Sequence, residues 1–244
     1  MLEVTNGVFV GSGTDVNWVV VREGRDLTLV DSGWAGDFRR LRSSIENVGG
    51  RFEDIRGVLL THAHADHTGG LQRLWDEFRV PVFMHGRELA NASGEMVESA
   101  RPIDVLKLAW KPRVLGWGLR MIRAGGLRRQ FVRHGQAYPD GRPLDLPGGP
   151  VPVPCSGHTS GHTAYLFPRI GVIATGDALV TGHPLFSQVG PQLLPAPFSL
   201  ANQAALCGLD AFDGIDAGIV VPGHGLPYYG GLASAVARAR ELGG

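Results

Sequence analysis

The chain has few cysteines, no long apolar run and no excess of charge of either sign. Cys155 and Cys207 are its only cysteines, so its stability does not rest on a disulfide framework. No apolar stretch reaches the length of a membrane-spanning helix. Its 23 basic and 23 acidic residues cancel, which argues against a wholly nucleic-acid-binding protein. The first residues lack the basic start and apolar core of a secretory signal, and we therefore expect a cytoplasmic protein.

Length and pattern predict one mixed domain. A chain of 244 residues can fill one core, so we expect 1–244 to be a single domain. Apolar alternation predicts strands near residues 2–10, 16–22 and 26–31, followed by a helix near 36–48. Strand-like and helical segments then continue to alternate. These patterns indicate a chain of mixed α and β structure.

Metal-ligating side chains are concentrated in one short segment. Three histidines and one aspartate fall within six residues, namely His62, His64, Asp66 and His67. The segment follows the apolar stretch 55–60 and precedes residues 71–78, which have helical spacing. Because alternate side chains of an extended backbone share a side, the first two histidines can converge on one ion while the other two ligands point elsewhere. This spacing predicts two metals in a strand-to-helix loop.

Three further candidates come later in the chain, and each follows an apolar, strand-like run and a glycine: His158, Asp177 and His224. All the candidate ligands therefore lie at strand ends. Imidazole and carboxylate groups together are typical of zinc sites, with manganese, iron or cobalt as alternatives.

The four motifs together resemble the successive metal motifs of the metallo-β-lactamase-fold hydrolases; they are Thr61–His67, Ser156–Thr159, Thr175–Asp177 and Pro222–Gly225. The resemblance implies the α+β fold class, as a four-layer αβ/βα sandwich of two mixed sheets with helices outside and the metals at one edge. It also implies two ligand sets joined by one bridge. His62, His64 and His158 would hold one ion, Asp66, His67 and His224 the other, and Asp177 would contact both.

Two divalent ions about 3.5–4 Å apart can share a water and lower its pKa to roughly 7, which makes a metal-bound hydroxide available as nucleophile. We expect a hydrolase that attacks an ester, lactone or thioester. Asp66 is the candidate proton carrier. His183 is a second catalytic candidate that could orient or protonate the substrate, although an ordinary loop residue before a proline fits the sequence equally well.

The resemblance narrows the substrate only a little. True β-lactamases generally lack an aspartate at the position of Asp177, so antibiotic hydrolysis is disfavoured. Pro222–Gly225 is similar to the motif of acyl-homoserine lactonases, but their tyrosine after the bridging aspartate is missing, and Tyr165 or Tyr138 could replace it only by pointing inward. A mononuclear iron oxidoreductase of the persulfide-dioxygenase type and a phosphodiesterase remain alternatives.

The segment 100–142 is predicted to form a helical, basic insert. Residues 101–142 contain ten Lys or Arg residues and two Asp, interleaved with apolar residues at helical spacing. We expect a lid over the metals in which Trp110, Trp117 and Arg120 bind an anionic or acyl-bearing small molecule. A helix pair with a solvated basic face and contact with a membrane surface are the alternatives. No nucleic-acid partner is expected, and self-association is left open.

Overall fold

The computed structural model describes residues 1–99, 111–128, 130–139, 142–194 and 202–243, whose strands form two mixed sheets. The seven-stranded sheet contains, in spatial order, β1 (Leu2–Thr5), β2 (Val8–Ser12), β3 (Asn17–Glu23), β4 (Asp26–Val30), β5 (Ile55–Leu59), β6 (Val82–Met84) and β7 (Gly135–Ala137). The four-stranded sheet contains, in spatial order, β11 (Ile219–Pro222), β10 (Val172–Gly176), β9 (Thr163–Phe167) and β8 (Val151–Pro154). The pairs β4–β5, β5–β6, β6–β7 and β10–β11 are parallel, and the other strand pairs are antiparallel.

The described α-helices are α1 (Phe38–Asn47), α2 (Ala65–Thr68), α3 (Leu71–Phe78), α4 (Leu89–Ser93), α5 (Pro112–Arg123), α6 (Asn202–Gly208) and α7 (Leu232–Gly243). Helices α1 and α3 pack on the outer face of the larger sheet, and α7 packs on the outer face of the smaller one. None of the described helices combines the length and apolar character needed to cross a bilayer.

Alternating side chains of the strands produce separate apolar layers. Val19 and Val21 of β3 face the second sheet, while Trp18 and Val20 face the helices α1 and α3. In β10, Val172 and Ala174 enter the core between the sheets, whereas Ile173 packs against α7. These three apolar layers separate helix, sheet, sheet and helix, as predicted for a four-layer sandwich.

The amino-terminal strand prediction is wrong in one respect. The sequence predicts one strand near residues 2–10, but these residues form the hairpin β1–β2, in which Leu2 pairs with Val10. The turn contains Asn6 and Gly7, and Gly7 has a φ of 75° that favours glycine. Asn-Gly is a strong hairpin signal, so this turn was readable from the sequence. The predicted strands near 16–22 and 26–31 correspond to β3 and β4.

The insert is helical only in part. Helix α5 lies within it, but residues 135–137 form β7, which adds a parallel edge strand beside β6. The predicted helical insert 100–142 therefore also contains a strand that the sequence did not predict, because backbone pairing with β6 overrides a short and mostly exposed sequence that has no strand alternation. Trp110 and the rest of 100–110 lie outside the described residues.

Candidate metal centre

The candidate ligands lie in loops that follow β5, β8, β10 and β11 and meet at one edge of the two sheets. Backbone hydrogen bonds join these regions: Thr163 N–H of the smaller sheet donates to the Thr61 carbonyl beside the larger one, and Gly223 N–H donates to the Gly176 carbonyl within the smaller sheet. Asn17 adds a side-chain contact, since its amide donates to the carbonyls of Pro222 and Gly225. Ligands far apart in sequence are thereby brought together.

All seven predicted ligands belong to three overlapping groups whose ligand atoms lie within 4.8 Å of one another. The groups are His62, His64 and His158; His62, His67 and Asp177; and Asp66, His67 and His224. In the first group, His158 Nε2 lies 3.2 Å from His62 Nε2 and 3.0 Å from His64 Nδ1. Tetrahedral zinc with Zn–N distances of 2.0–2.1 Å needs nitrogens about 3.3 Å apart, so this spacing suits a cation.

Asp177 lies between the first group and the third. Its Oδ2 is 3.6 Å from His158 Nε2 and 3.2 Å from His224 Nε2, while its Oδ1 is 3.5 Å from His67 Nε2. Asp66 Oδ2 lies 3.5 Å from His224 Nε2 on the far side of the third group. One carboxylate therefore reaches both sets of imidazoles, which is the geometry expected of a bridging ligand.

Asp31, a buried aspartate that is not among the predicted site residues, orients two of the imidazoles. Asp31 Oδ2 accepts a hydrogen bond of 2.7 Å from His67 Nδ1 and one of 2.8 Å from the Thr61 hydroxyl. Since the Thr61 hydroxyl donates to Asp31, it accepts from His62 Nδ1 at 3.0 Å. Both rings consequently turn Nε2 toward the other candidate ligands. The seven residues of the three groups are called the cluster below. Asp31 has a φ of 60°, so this strand end adopts a conformation that is uncommon outside glycine.

Two further imidazoles are oriented by backbone carbonyls. His64 Nε2 donates to the Glu98 carbonyl at 2.6 Å, which leaves Nδ1 for the cluster. His224 Nδ1 donates to the Asp15 carbonyl at 2.5 Å, which leaves Nε2 facing Asp177. Each of these histidines therefore presents its acceptor nitrogen inward, as a metal ligand must.

Glu88 is a buried carboxylate that joins two ligand loops. Its Oε2 accepts from Ala63 N–H at 3.0 Å, and its Oε1 accepts from Gly161 N–H at 3.1 Å and from the Thr159 hydroxyl. The Asn91 amide also donates to Oε2. The loop that carries His62 and His64 is thereby attached to the loop that carries His158. Sequence reasoning missed Glu88, because its partners are distant in the chain.

The charges in the cluster favour a bound cation. Burial lowers the pKa of His62 and of His158 well below the ordinary value, and neighbouring imidazoles lower it further. Burial also lowers the pKa of His67 and of His224, but the nearby carboxylates outweigh it and raise both. At Asp177 burial raises the pKa, yet the charges of His224 and His67 dominate and leave it well below its usual range. His62 and His158 are therefore neutral and Asp177 is ionised, as metal ligands are, while the raised pKa of His67 and of His224 reflects carboxylate charge that a bound cation would neutralise.

Unpaired polar atoms give a direct test of whether a cation fits. Among the described residues, five buried side-chain atoms have no hydrogen-bond partner, and three of them belong to the cluster: His67 Nε2, His158 Nδ1 and Asp177 Oδ1. Leaving a buried polar atom unpaired costs about 1–3 kcal/mol. A divalent ion would satisfy His67 Nε2 and Asp177 Oδ1 together, so the residues present fit a metal.

A family model described as the metallo-beta-lactamase superfamily matches residues 11–224. This chain belongs to that superfamily. "Probable metallo-hydrolase YflN" of Bacillus subtilis is 24% identical over 85% of this chain and 78% of the relative. "Probable metallo-hydrolase YybB" of the same organism is 31% identical over 67% of this chain and 64% of the relative. A "Hydroxyacylglutathione hydrolase" of Halorhodospira halophila is 32% identical, but over 52% of this chain and 34% of the relative.

Solved structures show the same fold. A metallo-beta-lactamase family protein of Thermus thermophilus aligns with a TM-score of 0.69 and 21% identity over 99% of this chain and 79% of its own. The Rm3 metallo-beta-lactamase aligns with a TM-score of 0.65 and 16% identity over 97% of this chain and 89% of its own. The predicted metallo-β-lactamase fold is therefore confirmed.

In this superfamily member, His183 lies beside the cluster. Its ring centroid is 4.9 Å from that of His224, and it stacks on Phe186. Its Nδ1 accepts from Leu185 N–H at 3.3 Å, which assigns the ring hydrogen to Nε2. Burial, followed by the charge of His224, lowers the pKa of His183 to about 4. A neutral ring at pH 7 suits hydrogen bonding to a substrate better than full proton transfer.

Helix α5 lies next to this histidine. The Trp117 ring centroid is 5.9 Å from that of His183, and Trp117 is buried. One turn further along, Arg120 Nε donates to Asp15 Oδ2 at 2.8 Å, and Asp15 is the residue whose carbonyl accepts from His224. Two of the three predicted substrate residues thus border the cluster, while Trp110 lies outside the described residues.

The remaining histidines and tyrosines have structural contacts. His85 Nδ1 accepts from Arg87 N–H, and His134 stacks on a tryptophan. His162 Nε2 accepts from Asp177 N–H at 3.1 Å, so it supports the central carboxylate. The Tyr165 hydroxyl donates to the Leu60 carbonyl, and the Tyr138 hydroxyl bonds to a threonine in the core. Neither tyrosine replaces the residue that lactonases place near the metals.

Proposed function

We propose that this chain is a dinuclear metal-dependent hydrolase that acts on an ester, lactone or thioester. The observation that carries the proposal is the position of Asp177, whose carboxylate lies within 3.6 Å of His158 and of His224 and so contacts both imidazole groups. Zinc is the metal that we propose, because five imidazoles and two carboxylates are ligands it prefers. The second group, Asp66, His67 and His224, would be superfluous in a mononuclear iron oxidoreductase.

In this proposal His62, His64 and His158 would hold one divalent ion and Asp66, His67 and His224 the other, with Asp177 near both; such ions would supply Lewis acidity that makes hydroxide available at neutral pH. The chain contributes the carboxylate that handles the proton. Asp66 has a side chain that is 18% exposed, against 3% for Asp177, so Asp66 is the carboxylate that a substrate can approach. We assign the proton-carrying role to Asp66 on that basis.

His183 and helix α5 bind and orient the substrate in this proposal. The Nε2–H of His183 donates a hydrogen bond to the substrate beside His224, since Nδ1 is already an acceptor. Trp117 provides an apolar wall next to it, and Arg120 provides a positive charge at the edge. These residues favour a substrate that combines an apolar group with an anionic one. The hydroxyacylglutathione hydrolase match supports including acylated glutathione among the substrates tested.

Metal content and activity test this function together. We expect two divalent ions per chain by elemental analysis of protein purified without added metal, and hydrolysis of at least one anionic ester, lactone or thioester. Chelation should abolish that activity and lower the melting temperature by removing ligand-linked stability, roughly 4 kcal/mol for a metal present at a thousand times its Kd. Zinc should restore both.

A single iron per chain with oxygen consumption in the presence of a persulfide would replace the proposal with the oxidoreductase alternative. Undiminished hydrolysis by protein shown to be free of metal would refute it altogether. Turnover of phosphodiesters alone would keep the metal centre and change the substrate class.

A further inference from the structure

Helix α5 has two apolar faces rather than one. Val114, Trp117 and Ala124 are buried against the body of the protein. On the opposite side, Leu115 is 55% exposed and Leu119 and Ile122 are each 47% exposed. Spacings of four and three residues place these aliphatic side chains in one stripe along the outer surface. Leu127, 74% exposed, follows just after the helix.

The segment that carries this stripe is also basic. Residues 111–128 contain five Lys or Arg residues and no Asp or Glu. Arg123, four residues after Leu119, and Arg128, next to Leu127, are exposed beside the stripe. Arg113 and Arg120 lie on the side of Trp117, and Arg120 is paired with Asp15. Helices that lie in the surface of a membrane combine an apolar stripe with Lys and Arg in this way, because the stripe enters the acyl boundary and the cations meet anionic headgroups. Here the "outer face of α5" means Leu115, Leu119, Ile122 and Leu127 with Arg123 and Arg128.

We propose that the outer face of α5 docks on an anionic lipid surface. The positive charge of the arginines beside the stripe is complementary to anionic lipid headgroups, which favours this partner. A second copy docking through the same face would bring the exposed arginines of the two chains together, and like charges oppose such a contact. The stripe is also convex, being the surface of a helix, so it can enter a headgroup layer without a matching groove.

The location of the helix gives the contact a consequence. The inner face of α5 places Trp117 beside His183, so docking of the outer face would bring the metal cluster close to the lipid headgroups. An amphiphilic substrate could then reach the site from the membrane surface. The docking itself requires no catalysis, and its test is independent of the hydrolase proposal.

Vesicle co-sedimentation of the full-length, metal-loaded protein tests the proposal. The probes are phosphatidylcholine vesicles and phosphatidylcholine vesicles that contain phosphatidylglycerol, each at low and at high salt. We expect binding to the anionic vesicles at low salt, with weaker binding at high salt and on the neutral vesicles.

Two double variants separate the contributions of charge and apolar surface. Each cation near an anionic surface strengthens binding about fivefold, so R123E/R128E should weaken it by at least about 25-fold. L119Q/I122Q should weaken it by at least about tenfold. R25E/R39E makes the same change of charge on exposed arginines elsewhere, and V189Q/L242Q makes a similar apolar-to-polar change at other exposed positions; neither should alter binding by more than about twofold. Unchanged metal content confirms that the variants fold.

Equal binding to neutral and anionic vesicles, or no binding to either, would overturn the proposal. So would control variants that weaken binding as much as the variants of the outer face. Sedimentation velocity tests whether a second copy of the chain binds this face instead. Self-association that L119Q/I122Q abolishes, in a protein that does not bind vesicles, would assign the face to such a contact.

Discussion

The metal cluster and helix α5 are held in the protein by different kinds of contact. In the cluster, the inward orientation of the imidazoles comes from buried hydrogen bonds to groups such as Asp31 and the Glu98 carbonyl. Helix α5 is attached by apolar packing of its inner face, an exposed ion pair between Arg120 and Asp15, and a backbone hydrogen bond from Gly36 to Ala124.

We expect the two regions to have different roles, the ligand cluster in the chemical step and helix α5 in the choice of substrate. A ligand that shifts by an ångström loses its metal, so the cluster needs several buried contacts for each side chain. A wall that binds substrates can tolerate fewer contacts and more sequence change. Variants should therefore affect metal content when they lie in the cluster, and the KM of particular substrates when they lie on α5.

The strongest test of the contrast is Asp177→Ala. The change removes the carboxylate that contacts both imidazole groups. Alanine offers His67 and His224 no negative charge in its place. We expect loss of at least one of two ions and a fall in kcat of at least about 10³-fold, since metals supply several kcal/mol of transition-state stabilisation. Elemental analysis and kinetics measure both effects. Asp216→Ala, at an exposed position, is the control. Two ions and normal turnover in Asp177→Ala would show that the bridging role is wrong.

Asp31→Asn should have the next largest effect. The amide replaces one accepting oxygen with a donor, so either His67 Nδ1 or the donors of Thr61 lose their partner. Partners of this kind are worth 10–100-fold in metal affinity. Competition with a chelator measures the affinity. Glu88→Gln offers a matched comparison, because Glu88 is also buried but accepts from no imidazole, and it should lower metal affinity less. Equal affinities in Asp31→Asn and the parent would contradict the orienting role.

The metal-loaded protein should lose stability in mild acid. Burial lowers the pKa of His162 to about 3 and the pKa of His62 and His158 well below the ordinary value. As the pH falls below about 6.5, the unfolded chain therefore binds protons that the folded chain does not, and the free energy of unfolding falls by about 1.4 kcal/mol per pH unit for each such histidine.

In the metal-free protein His67 and His224 oppose this trend, because their pKa is raised and their contribution to stability is lost as the pH rises. The melting temperature should consequently fall more steeply between about pH 7.5 and about pH 5.5 in the metal-loaded protein than in the metal-free protein. Over this range of about two pH units, protonation of the ligands competes with metal binding. Identical pH profiles for the two forms would argue against imidazole ligation.

The smallest expected effect is that of Arg120→Ala. Loss of a partly exposed cation should raise the KM of an anionic substrate about three- to tenfold, leave the KM of a neutral ester unchanged and keep the metal content. Arg123→Ala, one turn along the same helix, is the control in which no contact with Asp15 is removed. Loss of metal in Arg120→Ala would place this helix with the cluster rather than with the substrate wall.

Much of the fold was accessible from sequence because its signals are local. Alternation predicted β3 and β4, helical spacing predicted α3 over Leu71–Phe78, and glycine followed by a ligand marked the strand ends. The three-residue strand β7 gave no such signal, since two of its residues are exposed and only its pairing with β6 makes it a strand. The Asn6-Gly7 turn does carry a local signal, so the error of one continuous strand there was avoidable.

The sequence by itself determined which side chains could bind metal, because dense imidazole and carboxylate ligands at strand ends have few other uses. Only the tertiary structure decided how those side chains are oriented. Asp31 bonds to His67, Asp15 to His224 and Glu88 to Gly161, and each pair is far apart in the chain. The two apolar faces of α5 likewise became distinct only once the body of the protein covered one of them. Hydrogen bonding and burial depend on proximity in space, which local sequence patterns do not encode.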